Sequence, residues 1–217
     1  AVAIPCFDEP LRFMDTVVSI SRTQGAERAV LIVVVNAPED ASASALAANE
    51  ALLSDLSARL GVSRQPACWG VYGELTICLI DRSSPGRQLP AGQGVGLARK
   101  IAADLALRWY CSSTLGSPWL CCTDADVLVP TDYLMALPSR ETKASAALYP
   151  FTHILEGSAA QHEAMSIYES YLRYHVLGLR SAGSPFAYHA IGSTLAVNLK
   201  HYGAVRGFPR RLAGEDF

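Results

Sequence analysis

Trp119-Leu120-Cys121-Cys122-Thr123-Asp124-Ala125-Asp126-Val127-Leu128-Val129-Pro130 carries an apolar run into two aspartates one residue apart, and a second apolar run follows. In an extended chain successive side chains point to opposite faces, so Asp124 and Asp126 share a face while Ala125 turns away. Two carboxylates held so close at the exit of a buried strand repel one another unless a positive charge sits between them. A divalent cation such as Mg²⁺ or Mn²⁺ answers that description, because it favours oxygen ligands and often takes only one or two carboxylates. An Asp-rich turn capping a helix beyond Pro130 answers it as well, and the stretch alone does not choose between them.

The surrounding chain alternates between two periodicities. Residues 1–4 form a short apolar strand closed by Pro5, and residues 5–10 a loop. Leu11, Met14, Val17 and Val18 then fall near helical spacing over residues 11–22. Residues 29–35 (AVLIVVV) are continuous and β-branched, the pattern of a strand covered on both faces. Asn36 opens a turn, and Leu46, Leu53, Leu56 and Leu60 mark one stripe of a helix that Gly61 stops. A third strand follows over residues 74–81, then a loop rich in Gly, Pro and Ser over residues 82–94, a candidate mobile segment.

Residues 95–109 give the clearest helix. Ala98, Ile101, Ala102, Leu105 and Trp109 lie on one face and Lys100, Asp104 and Arg108 on the other. Residues 119–123 make a fourth strand, 132–137 a short helix and 144–149 a fifth strand. A Tyr-rich helical pattern over residues 159–179 puts Ala164, Tyr168, Tyr171, Leu172 and His175 on one side, which reads as a core face. Residues 193–197 suggest a last strand, and Gly207-Phe208-Pro209 a turn. Strand and helix in alternation predict an α/β fold whose sheet is parallel at least in its first half. Ligands of such sheets gather at the carboxyl ends of the strands, so Pro5 to Glu9, Asn36 and the aspartate pair are expected on one edge.

Composition narrows the function classes. With 217 residues, half of them hydrophobic and 18% charged, the chain reads as one globular domain. A net charge of −2 argues against a general nucleic-acid binder, which needs clustered Lys and Arg. No apolar run approaches the ~20 residues that cross a bilayer, and no basic segment precedes an apolar one as in a signal peptide. Ala1 reads as the residue after a trimmed initiator Met. The six cysteines show no CxxC pair or zinc spacing, and no Asn-x-Ser/Thr sequon occurs, so a reducing cytoplasm is expected. Gly92-Gln93-Gly94-Val95-Gly96 lacks the sixth-position glycine and does not follow the first strand, so it reads as a flexible phosphate-side loop rather than a dinucleotide fingerprint. His153, His162, His175, His189 and His201 show no metal-ligand spacing; His189 alone is a candidate for an acceptor site.

Five segments together bring a family into view. Ile4-Pro5-Cys6-Phe7-Asp8-Glu9, Val33-Val34-Val35-Asn36, Gly96-Leu97-Ala98-Arg99-Lys100, Thr123-Asp124-Ala125-Asp126 and Gly207-Phe208…Gly214-Glu215-Asp216 occur in the order seen in family 2-like glycosyltransferases of the GT-A fold. The resemblance runs the length of the chain. It implies a Rossmann-like three-layer sandwich around a central, mostly parallel sheet, with residues 1–130 as the nucleotide-sugar half and 131–217 as the acceptor half. Pro5, Phe7 and Glu9 would line the base pocket, and Arg99 would reach the base or a phosphate. Asp124 would meet the ribose or a metal-bound water, and Asp126 would ligate Mn²⁺ or Mg²⁺. Asp216 would be the general base for an acceptor hydroxyl, oriented by Glu215, in an inverting transfer from a nucleotide-diphospho-sugar donor. The physical logic agrees: a nucleoside diphosphate leaves poorly until its developing charge is neutralised, and a carboxylate in reach of a hydroxyl can take its proton.

Departures from the family pattern are informative. Members that use uridine nucleotides often carry an aspartate where this chain has Asn36, whose amide donates as well as accepts. A histidine metal ligand beyond the acidic pair is expected to be absent, since the sequence stops at Phe217. The sugar, the base, the acceptor, the oligomeric state and the choice between inversion and retention stay open. So do two rival readings, a non-catalytic nucleotide-sugar-binding domain and a sugar-phosphate nucleotidyltransferase. The second wants a basic, glycine-rich loop after the first strand, and Pro5-Cys6-Phe7-Asp8-Glu9 is not one.

Overall fold

The computed structural model describes residues 1–9, 12–139, 143–155, 157–189 and 191–210. Among the described residues seven strands form one mixed sheet: β1 (Val2–Cys6), β2 (Val30–Asn36), β3 (Ala67–Tyr72), β4 (Leu75–Arg82), β5 (Trp119–Cys122), β6 (Ala146–Leu148) and β7 (Leu195–Asn198). The helices are α1 (Phe13–Ser21), α2 (Ala43–Leu60), α3 (Gly94–Cys111), α4 (Ala159–Ser181) and α5 (Leu199–Ala204). The strand order is β3-β4-β2-β1-β5-β7-β6. β4, β2, β1 and β5 run parallel at the centre. β3 pairs antiparallel with β4, and β7 runs antiparallel to both β5 and β6.

The continuous apolar reading of β2 has its cause in two covers. Leu31, Val33 and Val35 pack with Phe13, Val17 and Ile20 of α1 and Leu52, Leu53 and Leu56 of α2. Val30, Ile32 and Val34 pack on the opposite face with Ala98, Ala102, Ala103 and Ala106 of α3 and Tyr202 of α5. Helices therefore flank the sheet on both sides, as a period-two strand buried twice requires. The α3 face is nearly all alanine, and all four alanines have no exposure. Small side chains let that helix lie close to the sheet, and Ile101, Leu105 and Trp109, expected on one face with Ala98 and Ala102, are only half-buried.

Several elements differ from expectation. Strand β3 passes unmarked in the sequence because its side chains are largely exposed, and it forms a hairpin with β4 across Gly73, whose φ is +61°. Residues 132–137 make hydrogen-bonded turns in place of a helix, with Met135 and Ala136 N–H both donating to the Asp132 carbonyl. The loop over residues 82–94 is tied down at Leu89, which is fully buried and exchanges backbone hydrogen bonds with Ala37 and Glu39 at 2.8 and 2.9 Å. Helix α4 corrects a larger expectation. It begins with a complete Ser158–Gln161 capping box, yet none of its residues is buried. Tyr168, Tyr171 and Tyr174 are 49%, 65% and 75% exposed, so the tyrosine stripe is surface and not core.

Replacing Ala102 by Leu should cost about 1–3 kcal/mol, because the added methylenes would push α3 off the sheet. Urea unfolding reads this as a lower midpoint with an unchanged slope.

Candidate functional site

The carboxyl ends of the parallel strands open on a cleft of about 380 Å³. Its lining includes Pro5, Phe7 and Glu9 after β1, Asn36 and Pro38 after β2, Gly94 and Val95 at the start of α3, and Asp124 to Asp126 after β5. Its shape begins with a missing donor. The β1–β5 ladder runs through Cys121 N–H to Ala1 carbonyl and Thr123 N–H to Ala3 carbonyl, at 2.9 and 3.1 Å. The next rung on that side of β1 would come from the nitrogen of Pro5, which has no hydrogen. Pairing with β5 ends there, while β1 stays in register with β2 as far as Cys6. The two strands part, and the aspartates enter the gap.

Helix α1 and the turn after it hold the aspartate segment. Thr16 Oγ1 donates to the Ala125 carbonyl at 2.9 Å, Val129 N–H donates to Ser19 Oγ at 3.2 Å, and Gln24 N–H donates to the Thr131 carbonyl at 2.8 Å. Ala125 is buried, and both neighbouring aspartates line the cleft, Asp126 the more exposed of the two. The alternation expected for the pair therefore holds, although the chain turns at Ala125 and Asp126 instead of extending.

Arg99 is placed beside Asp124. It is 3% exposed, is not among the residues lining the cleft, and donates from Nη2 to Asp124 Oδ1 at 2.8 Å. Its guanidinium lies against Gly192, where an added Cβ would come within 2.8 Å of Cζ. Arg99 therefore acts on the cleft through Asp124, partly neutralising and orienting that carboxylate.

The remaining acids carry the negative charge of the cleft. Burial, then the carboxylates of Asp126 and Asp8, lift the Glu9 carboxyl above its usual range, with Arg12 opposing. Burial, Glu9 and Asp126 also push the Cys6 thiol up to about 12, so Cys6 is an inert neutral group. A cation's ligands here would be carboxylate oxygens of Asp126 and Asp124, a donor chemistry that fits Mg²⁺ or Mn²⁺. Among the described residues no three His, Cys, Asp or Glu side chains cluster as a metal site. That is compatible with Mg²⁺, which commonly takes one or two carboxylates and completes its shell from water and phosphate.

The start of α3 also lines the cleft. Gly94 and Val95 form the first turn of α3, and Gln93 before them makes no side-chain cap. Backbone N–H groups of that turn, with the helix dipole behind them, suit an anion. The glycines expected in a flexible loop are thus divided: Gly92 sits in a turn with φ +76°, while Gly94 and Gly96 are buried in the helix itself.

One organising residue escaped the sequence reading. Asn49 of α2 has no exposure, and it joins three strand exits. Its Nδ2 donates to the Asn36 backbone carbonyl at 2.9 Å and to Ser83 Oγ at 3.0 Å, while its Oδ1 accepts from Asp8 N–H at 3.0 Å. Asp8 is held at φ +58°, a region that few residues other than glycine adopt. A signal was present: Asn49 occupies the gap in the stripe Leu46, Leu53, Leu56, Leu60, where a polar residue must find buried partners.

Asn36 is more than the first residue of a turn. It is 2% exposed, and with its amide nitrogen turned inward it donates to the Val34 and Cys6 carbonyls at 3.3 and 3.2 Å. An aspartate there would face two carbonyl oxygens without a hydrogen to offer. Asp81, at the end of β4, anchors the next loop: it accepts from Ser83 and Ser84 N–H at 3.0 and 2.9 Å and from Arg87 Nη1 at 2.9 Å. Burial raises its pKa, but the hydrogen bonds from Ser84, Ser83 and Arg87 outweigh it and leave the carboxyl below its usual range.

Glu215 and Asp216 lie outside the described residues. His189 lines a second cavity of about 500 Å³ together with Phe151, Tyr188 and Glu169. The Glu169 carboxylate there accepts from His153 N–H at 2.7 Å and from Arg173 at 2.9 Å. All six cysteines are free thiols, with only Cys111 exposed. No helix among the described residues is long and apolar enough to cross a membrane.

No protein-family model matches the chain, and comparison with curated proteins finds no match.

Replacing Asn36 by Asp should cost about 1–3 kcal/mol at neutral pH, the penalty for leaving buried acceptors facing a group without a donor. The deficit should narrow on acidification, since a protonated carboxyl regains one hydrogen. Asp81 predicts the opposite trend in the wild type. Its native pKa is depressed, so its contribution is complete above the ordinary aspartate value of about 3.9 and is lost as pH falls through the native one. Urea midpoints from pH 7 to 2 should fall less steeply in Asp81→Asn, after allowance for its lower starting stability.

Proposed function

We propose that the chain is a metal-dependent glycosyltransferase of the GT-A type, moving a sugar from a nucleotide-diphosphate donor to a hydroxyl acceptor. The observation that carries this reading is the meeting of distant motif residues in one cleft. Pro5, Phe7, Glu9, Asn36, Asp124 and Asp126 all line it, at the carboxyl ends of β1, β2 and β5. Strand-end clefts of this kind are where open α/β sheets bind ligands.

Charge supports the same reading. A diphosphate would find both the N-terminal turn of α3 and the acids Asp124 and Asp126 along the cleft. Those acids, Asp126 and Asp124, would hold Mn²⁺ or Mg²⁺, which supplies charge neutralisation at the leaving diphosphate. Phe7 is exposed beside Pro5 and offers an apolar face for a nucleobase. Asn36 spends its amide hydrogens on backbone carbonyls, so it would act as part of the cleft wall and not as a donor to the base. Asp216 is the proposed general base, with Glu215 orienting it, in an inverting transfer.

A panel of nucleoside diphosphates with and without Mn²⁺, read by thermal shift, tests binding. A ligand at a hundredfold excess over its dissociation constant stabilises the fold by about 2.7 kcal/mol. The expected result is a metal-dependent shift for one base that Asp126→Asn abolishes. No shift with any nucleotide would sink the proposal.

Turnover separates an enzyme from a binding domain. Asp216→Asn should retain the shift while donor hydrolysis and transfer fall at least about a hundredfold, the usual contribution of a positioned base. Equal turnover by Asp216→Asn and wild type would remove the assignment of the base. Binding without turnover in the wild type would select the non-catalytic nucleotide-sugar-binding domain.

A further inference from the structure

Helix α4 has two apolar stripes on opposite sides. Met165, Leu172, Val176 and Leu179 are half-buried on the side that Glu169 joins to His153 and Thr152. Half a turn round lie Ala160, Ala164, Ile167, Tyr171, Tyr174 and Gly178, at spacings that alternate between four and three, the period of a helix–helix seam. Nothing among the described residues covers this outer stripe: Ile167, Tyr171 and Tyr174 are 64%, 65% and 75% exposed. A helix that is apolar on both sides is ordinarily enclosed on both.

We propose that this outer stripe is covered by α4 of a second copy of the chain, packed antiparallel across a twofold axis near residue 169. The residues themselves set the register. About that point Ala164 falls opposite Tyr174, Ile167 opposite Tyr171, and Ala160 opposite Gly178. Tyr174 then meets Ala164, Ile167 packs on Tyr171, and the same contacts recur on both sides of the axis, as a twofold interface demands. A parallel pairing would instead set Tyr171 on Tyr171 and Tyr174 on Tyr174, with no small residue opposite either tyrosine.

The area is sufficient. Aromatic side chains present about 150–250 Å² each, and Tyr168 and Leu177 flank the stripe at 49% and 58% exposure. The strip therefore offers roughly 500–600 Å² per copy, and two strips facing each other remove roughly 1,000–1,200 Å², the lower bound of a specific interface. It is also as large as the biggest apolar patches that monomers leave in water, about 300–600 Å².

Sedimentation equilibrium of the full chain tests the state of assembly, and engineered cysteines test its direction. A dimer that dissociates on dilution through the micromolar range is expected, and Tyr174→Glu, a change at an exposed position, should weaken it at least about tenfold. In a Cys111→Ser background, Ala164→Cys should cross-link to Tyr174→Cys when the two variants are mixed, and neither should cross-link to itself. In the antiparallel register the two copies of residue 164 stand about 15 Å apart along the axis, at 1.5 Å per residue. A chain that stays monomeric at about 100 µM overturns the proposal, as does self-linking of Ala164→Cys. So does sedimentation of monomer with phosphatidylcholine vesicles that Tyr174→Glu abolishes, which would assign the stripe to a lipid surface.

Discussion

A hydrogen bond that cannot form shapes this molecule more than any that does. Pro5 stands where β1 should donate its next N–H toward β5, and it has none to give. On its other side β1 continues to pair with β2 as far as Cys6 and Val35. The central sheet thus stays closed between β1 and β2 and opens between β1 and β5. The cleft is that opening. Everything around it either lines the gap or keeps its rims from closing.

Keeping the rims apart falls to buried polar side chains. Asn49 ties the exits of β1, β2 and β4 to one point on α2, and binds Asp8 N–H where that residue takes a left-handed conformation. Asn36 fastens β2 to the end of β1, while Thr16 and Ser19 fasten the aspartate segment to α1. A loop bound at one amide could swing; loops sharing buried partners move together or not at all, since freeing one leaves another unsatisfied.

The charge balance of the cleft follows from what Arg99 does. Buried against Gly192 and bound to Asp124, it neutralises one of the paired acids from behind and leaves Asp126 and Glu9 to set the field of that wall. The first turn of α3, Gly94 and Val95, lines the same cleft. A cleft lined in this way suits a ligand that brings both signs, as a diphosphate paired with a divalent cation does.

The strands at the centre were legible because a residue buried on two faces leaves a continuous apolar run, and β2 is such a run. The cleft's carboxylates were legible for a related reason: two acids directly after a buried strand have nowhere to go but its exit. What pattern alone missed lies where neighbours, and not local periodicity, set the outcome. Strand β3 has exposed side chains and exists only through its ladder with β4. Asn49 reads as a flaw in a leucine stripe until Asp8, Asn36 and Ser83 are brought around it. Arg99 reads from the sequence as a ligand-reaching residue, and only the folded chain shows it bound to Asp124 and packed against Gly192. The tyrosines of α4 share the spacing of a core face, yet spacing states only which residues lie on one side. Whether anything packs against that side is a property of the assembled chain.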